Sequence, residues 1–212
     1  MMKTKIISVD LNNIDNEKIE IIISTLNNNG VIVYPTDTFY GLGVNCLSRK
    51  AVSDVYFLKK RDLSKPLSII ISGIDMLTRI STGLPPLFHA VSDRFWPGPL
   101  TLILNAGSLL PSEILGGMKT IAVRWPDHSW LQEVVRKAGF PITATSANLT
   151  GEQEICEPKV VHRVFMDKVD MIVDGGRTPG GKPSTILDLT EERPKILREG
   201  AVATSELSEF LS

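Results

Sequence analysis

Nine apolar segments of strand length recur along the 212 residues, at Lys5 to Val9, Val31 to Tyr34, Leu67 to Ile71, Leu100 to Leu104, Thr120 to Arg124, Ile142 to Thr145, Met171 to Val173, Thr185 to Leu189 and Pro194 to Leu197. Helix-like stretches lie between them. Ile19, Ile22, Ile23 and Leu26 share one face, with Gly30 at the position of a C′ glycine. Ser48 caps a helix through Val52, Val55 and Leu58, and Asp127 caps one that carries Leu131, Val134 and Val135. Strands that alternate with helices build a sheet covered on both faces, so the expected class is α/β. The closely spaced pair near the C-terminus reads as antiparallel, which makes the expected sheet a mixed one. The tail from Ser205 to Ser212 adds a short helix or frays. With no repeat, low-complexity tract or linker composition, residues 1–212 are read as one domain.

Composition removes several classes of function. A net charge of -1 and a pI near 6.3 give no bulk attraction to a nucleic acid backbone or an anionic membrane. Cys46 and Cys156 are far apart, with no CxxC and no histidine at ligand spacing, so neither a disulfide framework nor a zinc site is indicated. His89, His128 and His162 show no metal-binding spacing. The N-terminus lacks the apolar core of a signal peptide, and no apolar run approaches the roughly 18 residues of a membrane span, so a soluble cytoplasmic protein is expected.

Chemistry concentrates where strands end. In "VIVYPTDTFYGLG", Pro35 stops a core strand, and Thr36, Asp37, Thr38 and Tyr40 emerge at its end, where α/β sheets bind ligands. The plainer reading is a local loop, with Gly41 and Gly43 supplying positive φ. "PITATSANLTGE" runs from strand into Ser146 and Asn148, and "TIAVRWP" places Arg124 at a strand end before Pro126. Residues 49–65 hold six basic and two acidic side chains, and "LKKRDLSKP" puts Lys59, Lys60, Arg61 and Lys65 between an apolar helix and an apolar strand. Such a cluster suits a polyphosphate, Arg as a fork and Lys as a point charge; it also suits a solvated helix end facing the C-terminal dipole. "GRTPGGKP" spaces Gly176, Gly181 and Lys182 like a P-loop, but Pro183 replaces the magnesium-holding hydroxyl and a strand follows where that motif needs a helix.

Taken in order, "YPTDTFYGLG", "KKRDLSKPLSI", "FWPGPLTLIL", "IAVRWP", "TSANLTGE", "PSTILDL" and "ILREG" resemble the YrdC family of threonylcarbamoyl-adenylate synthases over about residues 18–200. The resemblance implies a YrdC/RibB-like fold, a twisted, open, mostly parallel sheet around a large basic cavity. It also implies a nucleotidyltransferase that joins L-threonine, bicarbonate or carbon dioxide, and ATP with Mg2+, releasing pyrophosphate. A downstream tRNA threonylcarbamoyl transferase complex then modifies adenosine 37 of tRNAs that read ANN codons.

Carried over position by position, Thr38, Arg124, Ser146 and Ser184 would bind threonine. Lys59 and Arg61 would hold the ATP phosphates in the catalytic role, Lys65, Thr120, Asn148 and Arg198 would complete the nucleotide site, and Tyr40 would line the cavity. No protein side chain is assigned to the metal. Ile70 stands where some members carry a threonine-binding histidine, so threonine is expected to be held differently here. A non-catalytic RNA-binding module, docking tRNA or double-stranded RNA in a basic cavity, is the alternative; the near-neutral charge and 6% aromatic content weigh against it. A carbamoyl-adenylating module like that of hydrogenase maturation proteins would bring acylphosphatase and zinc-finger segments, which this sequence lacks.

Overall fold

The computed structural model describes residues 3–211, so Ser212 at the end of the tail lies outside the described residues. In chain order the elements are β1 (Lys5–Ser8), α1 (Asn16–Asn27), β2 (Ile32–Tyr34), β3 (Gly41–Gly43), α2 (Arg49–Lys59), β4 (Ile69–Ile70), α3 (Ile74–Ile80), α4 (Phe88–Phe95), β5 (Leu100–Asn105) and α5 (Ser112–Leu115). They continue with β6 (Thr120–Arg124), α6 (Ser129–Ala138), β7 (Ile142–Thr143), β8 (Thr145–Ser146), α7 (Pro158–Phe165), β9 (Met171–Asp174), β10 (Thr185–Asp188), β11 (Lys195–Arg198) and α8 (Thr204–Leu207), before a 3-10 turn at Ser208–Phe210. The tail is therefore helical through Phe210, with Leu211 irregular.

The α/β class with a mixed sheet holds. The strands divide between two sheets, ordered β1-β9-β2-β3-β8 and β11-β10-β5-β6-β4-β7. Among the described residues four strand pairs are parallel and five antiparallel, so the parallel pairs do not predominate. The antiparallel pairs come from β3, which turns back on β2 and also meets β8, from β5 with β6, from β4 with β7 and from the final pair β10 with β11.

One stretch joins the sheets. β7 closes the second sheet against β4, and β8, one residue later, closes the first against β3. Thr143 sits at the changeover: its Oγ1 donates to Leu42 O at 2.7 Å and accepts from Val44 N at 3.2 Å. Its carbonyl accepts from the fully buried Tyr34 hydroxyl at 2.7 Å. Every polar atom of Thr143 thus has a partner, as burial there requires.

Local details depart from the sequence reading in three places. Helix α1 buries Ile19, Ile22, Ile23 and Leu26 as its spacing dictates, but Asn29, not Gly30, takes the left-handed C′ position, with φ 61°. Gly30 is the following residue; its N–H bonds Thr25 O at 2.9 Å in a Schellman closure, and a Cβ there would stand 2.6 Å from Thr25 Cγ2. Helix α2 begins at Ser48 as expected, with the side chain accepting from Ala51 N. Helix α6, however, is capped by His128, whose Nδ1 accepts from Leu131 N at 3.2 Å, and not by Asp127. Gly41 and Gly43 have no positive φ. They form β3 flat against the Tyr34 ring, where a Cβ would come within 2.9 Å and 2.8 Å of ring atoms.

Candidate functional site

A cavity opens between the two sheets, and pairing register explains its walls. Residues paired across a sheet point to the same face. In the second sheet Ile70 pairs with Arg124, Arg124 with Thr101, Thr101 with Ile186, and Ile186 with Arg198. All five line the cavity. They form a floor one residue deep, drawn from β4, β6, β5, β10 and β11. In the first sheet the row Tyr34, Gly41 and Ser146 does the same from β2, β3 and β8. The space between, mouth included, is about 900 Å³.

Three guanidinium groups and a single carboxylate, Glu154, are among the lining groups, so the cavity favours anions. Arg124 is 8% exposed; its Nη2 donates to Asp37 Oδ2 at 2.5 Å and its Nε to Gly98 O at 3.3 Å. Arg198 donates to Ser184 O from Nη2 at 2.8 Å and from Nε at 3.2 Å. Burial pulls the Arg198 guanidinium below its ordinary pKa, against the opposing charge of Glu154. Ser184 Oγ lies 2.8 Å from Thr101 Oγ1, which joins two strands of the floor. Arg61 donates from Nε to Lys65 O at 3.1 Å and from Nη2 to Pro66 O at 2.9 Å, fixing its fork on its own loop.

The roof is tied to residues 36–40. Thr36 Oγ1 donates to Phe39 O at 2.6 Å and accepts from Thr38 N at 3.1 Å, a local turn that sets Thr38 on the cavity. Tyr40 donates its hydroxyl to Gly176 O at 2.6 Å, and burial together with Asp174 pushes its pKa up to about 12, so it remains a neutral donor. Gly180 N bonds Thr38 O at 2.6 Å and Tyr40 N bonds Ile155 O at 2.8 Å, so both covering loops hang from one short segment.

The structure brings Thr38, Tyr40, Arg61, Arg124, Ser146, Ser184 and Arg198 to this cavity. Lys59, Lys65, Thr120 and Asn148 are not among its lining residues. Lys59 is 2% exposed and lies beneath the turn at 146–148. Its Nζ donates to Asn148 O at 2.7 Å, to Asn148 Oδ1 at 2.9 Å and to Ser146 O. Burial first, then Arg61, brings its pKa down to about 8; the three acceptors match the three N–H donors and hold it as ammonium at neutral pH. Asn148 also accepts from Ser146 Oγ at 2.7 Å and donates to Glu152 O at 2.6 Å. It faces a neighbouring opening with Phe39, Glu152, Gln153 and Glu154. Thr120 stands at the opposite end of β6 from Arg124, about 13 Å away at strand rise. Lys65 is exposed on the turn that its carbonyl helps to close.

Sequence reasoning left Asp37, Ser68, Thr101 and Glu154 unassigned. Thr101 and Ser68 carried a usable signal, a small polar residue inside an otherwise apolar strand run. Among the described residues no group of three His, Cys, Asp or Glu could hold a metal ion, and no helix is long and apolar enough to cross a membrane.

Residues 24–200 match the Sua5/YciO/YrdC family, described as "Telomere recombination". The chain is 36% identical over 198 residues to the threonylcarbamoyl-AMP synthase of Pyrococcus abyssi, covering 93% of itself and 58% of that protein. It is thus similar to little more than half of that relative's length. Its structure superposes on a crystal structure of P. abyssi Sua5 complexed with L-threonine with a TM-score of 0.93 at 35% identity, over 99% of this chain and 61% of that one. The TM-score to the crystal structure of E. coli YciO is 0.85 at 27% identity, each chain being covered completely.

Proposed function

Because the chain belongs to the Sua5/YciO/YrdC family, we propose that it makes threonylcarbamoyl-adenylate and pyrophosphate from L-threonine, bicarbonate or carbon dioxide, and ATP. The observation that carries this reading is the floor of the cavity, with Arg124 and Arg198 three strands apart on one face, about 14 Å at ordinary strand spacing. Two anionic groups of different reactants can be held there at once. Arg124, with Thr38, Ser146 and Ser184, takes threonine. Arg61 and Arg198 take the phosphates. Lys59 and Asn148 support the turn that presents Ser146, and Tyr40 closes the wall beside it. Thr120 and Lys65 stay outside this assignment, because neither lines the cavity.

The chemistry asks for alignment more than for a protein nucleophile. Threonine's amine adds carbon dioxide and loses a proton, giving a carbamate. A carbamate oxygen attacks the α-phosphorus of ATP, a new P–O bond forms, and the bond to the bridging oxygen breaks as pyrophosphate leaves. Holding the two reactants in line can lower the barrier by roughly 7–11 kcal/mol, and guanidinium groups on the phosphates stabilise the charge that develops. Magnesium would enter with ATP. A lone lining carboxylate, Glu154, fits an ion held chiefly by phosphate oxygens and water, not one caged by the protein. The product would pass in the cytoplasm to the downstream tRNA threonylcarbamoyl transferase complex.

Pyrophosphate release from ATP, measured with and without threonine and bicarbonate, tests the proposal. Release that requires both is the expected outcome. Equal release with threonine omitted overturns it.

A further inference from the structure

We infer that Asp37 is a positioning residue, which orients the Arg124 guanidinium for the carboxylate of the amino-acid substrate. The inference rests on the assignment of Arg124 to threonine proposed above. Asp37 belongs to the connection between β2 and β3 in the first sheet, whereas Arg124 ends β6 in the second, so their 2.5 Å ion pair spans the two halves of the cavity. Both side chains are largely withdrawn from solvent, at 20% and 10% exposure. Thr36 and Thr38 line the cavity and Asp37 between them does not.

The pair is held at one point. An arginine and a carboxylate often meet through two parallel N–H···O bonds, as Arg136 and Glu133 do here. Here only Nη2 reaches Asp37, Nε donates to Gly98 O, and Asp37 Oδ1 is buried with no partner. As a contribution to stability this is a poor arrangement, because a buried carboxylate with one oxygen unpaired is costly to desolvate. As a way to fix the plane of a guanidinium it is effective: Nε and Nη2 are each tied to the protein, and among the described residues no partner occupies Nη1. The ion pair also compensates the buried cation before an anion arrives, so the fork is oriented in the empty cavity.

Threonine and ATP kinetics of Asp37→Asn, which keeps the side chain's shape and removes its charge, test the inference beside Arg124→Lys. The expected result is a threonine KM raised about tenfold or more, with the ATP KM changed by less than about twofold. In the double variant the loss should be smaller than the product of the single losses, because both act through one guanidinium. A general structural role would raise both KM values together or lower kcat alone, and either result overturns the inference. If threonine KM is unchanged in Asp37→Asn while Arg124→Lys is impaired, only this inference falls. If it is unchanged in both, the assignment of Arg124 falls and takes this inference with it. Should Asp37→Asn not fold, Asp37→Glu moves the charge by one methylene, and the same split between the two KM values decides.

Discussion

Arg61 directs two of its donors to carbonyls of its own loop and lines the cavity, a posture compatible with the phosphate-holding role proposed for it. Arg61→Ala should therefore raise the ATP KM about ten- to a hundredfold, the effect of losing a charge-assisted contact worth roughly 1.5–3 kcal/mol, while folding stability changes little. Arg61→Lys should recover only part of this, because an ammonium cannot reproduce the fork. His128 makes a different prediction. Burial lowers its pKa, and its Nδ1 must be unprotonated to accept from Leu131 N. The unfolded chain therefore binds the proton more readily than the folded one. The stability that neutral His128 contributes is complete above its unfolded value, about 6.5, and is lost as pH falls below it. The urea midpoint should drop between pH 7 and pH 5 and drop less in His128→Asn, which caps without titrating. Cations at loop and strand ends, such as Arg61 and Arg124, were legible in the sequence because charge there needs a reason. Asp37 was quoted there without a role, since its partner lies 87 positions away and only the fold brings them together.

Strand β3 shows what pattern reading misses at the scale of elements. "GLG" offers one side chain to a periodicity argument, and its two glycines read as loop residues, yet they are glycines because the Tyr34 ring lies flat on the strand. The ring cannot yield: Tyr34 is 1% exposed and its hydroxyl is fixed on Thr143 O. Gly43→Ala, with a Cβ 2.8 Å from the ring and 3.1 Å from Ile32 Cγ1, should destabilise the protein by about 1–3 kcal/mol as an overpacking substitution. Equilibrium urea unfolding measures it. The short helices α3, α4 and α7 also escaped the sequence reading. Seven or eight residues give about two turns, too few for an apolar stripe to repeat. The long apolar runs that became β5 and β6 were read correctly because burial on both faces leaves little else they can be.

At the scale of the whole molecule, the α/β class followed from alternation, but the division into two sheets did not. That division depends on one segment, residues 142–146, changing sheets at Thr143, and its apolar pattern is the same whether it pairs with one neighbour or two. The floor row has a further consequence, for how such a cavity diverges. Each of its five positions belongs to a different strand, so a point substitution changes one wall group and leaves the neighbouring positions in place. A one-residue insertion in β4, β5, β6 or β10, each paired on both sides, would instead slip its register and turn every side chain to the opposite face, whereas the edge strand β11 already shifts register opposite Ile186 and Leu187. Ligand preference in this architecture is thus free to drift by replacement at Ile70, Arg124, Thr101, Ile186 and Arg198, while length variation is confined to the connecting loops.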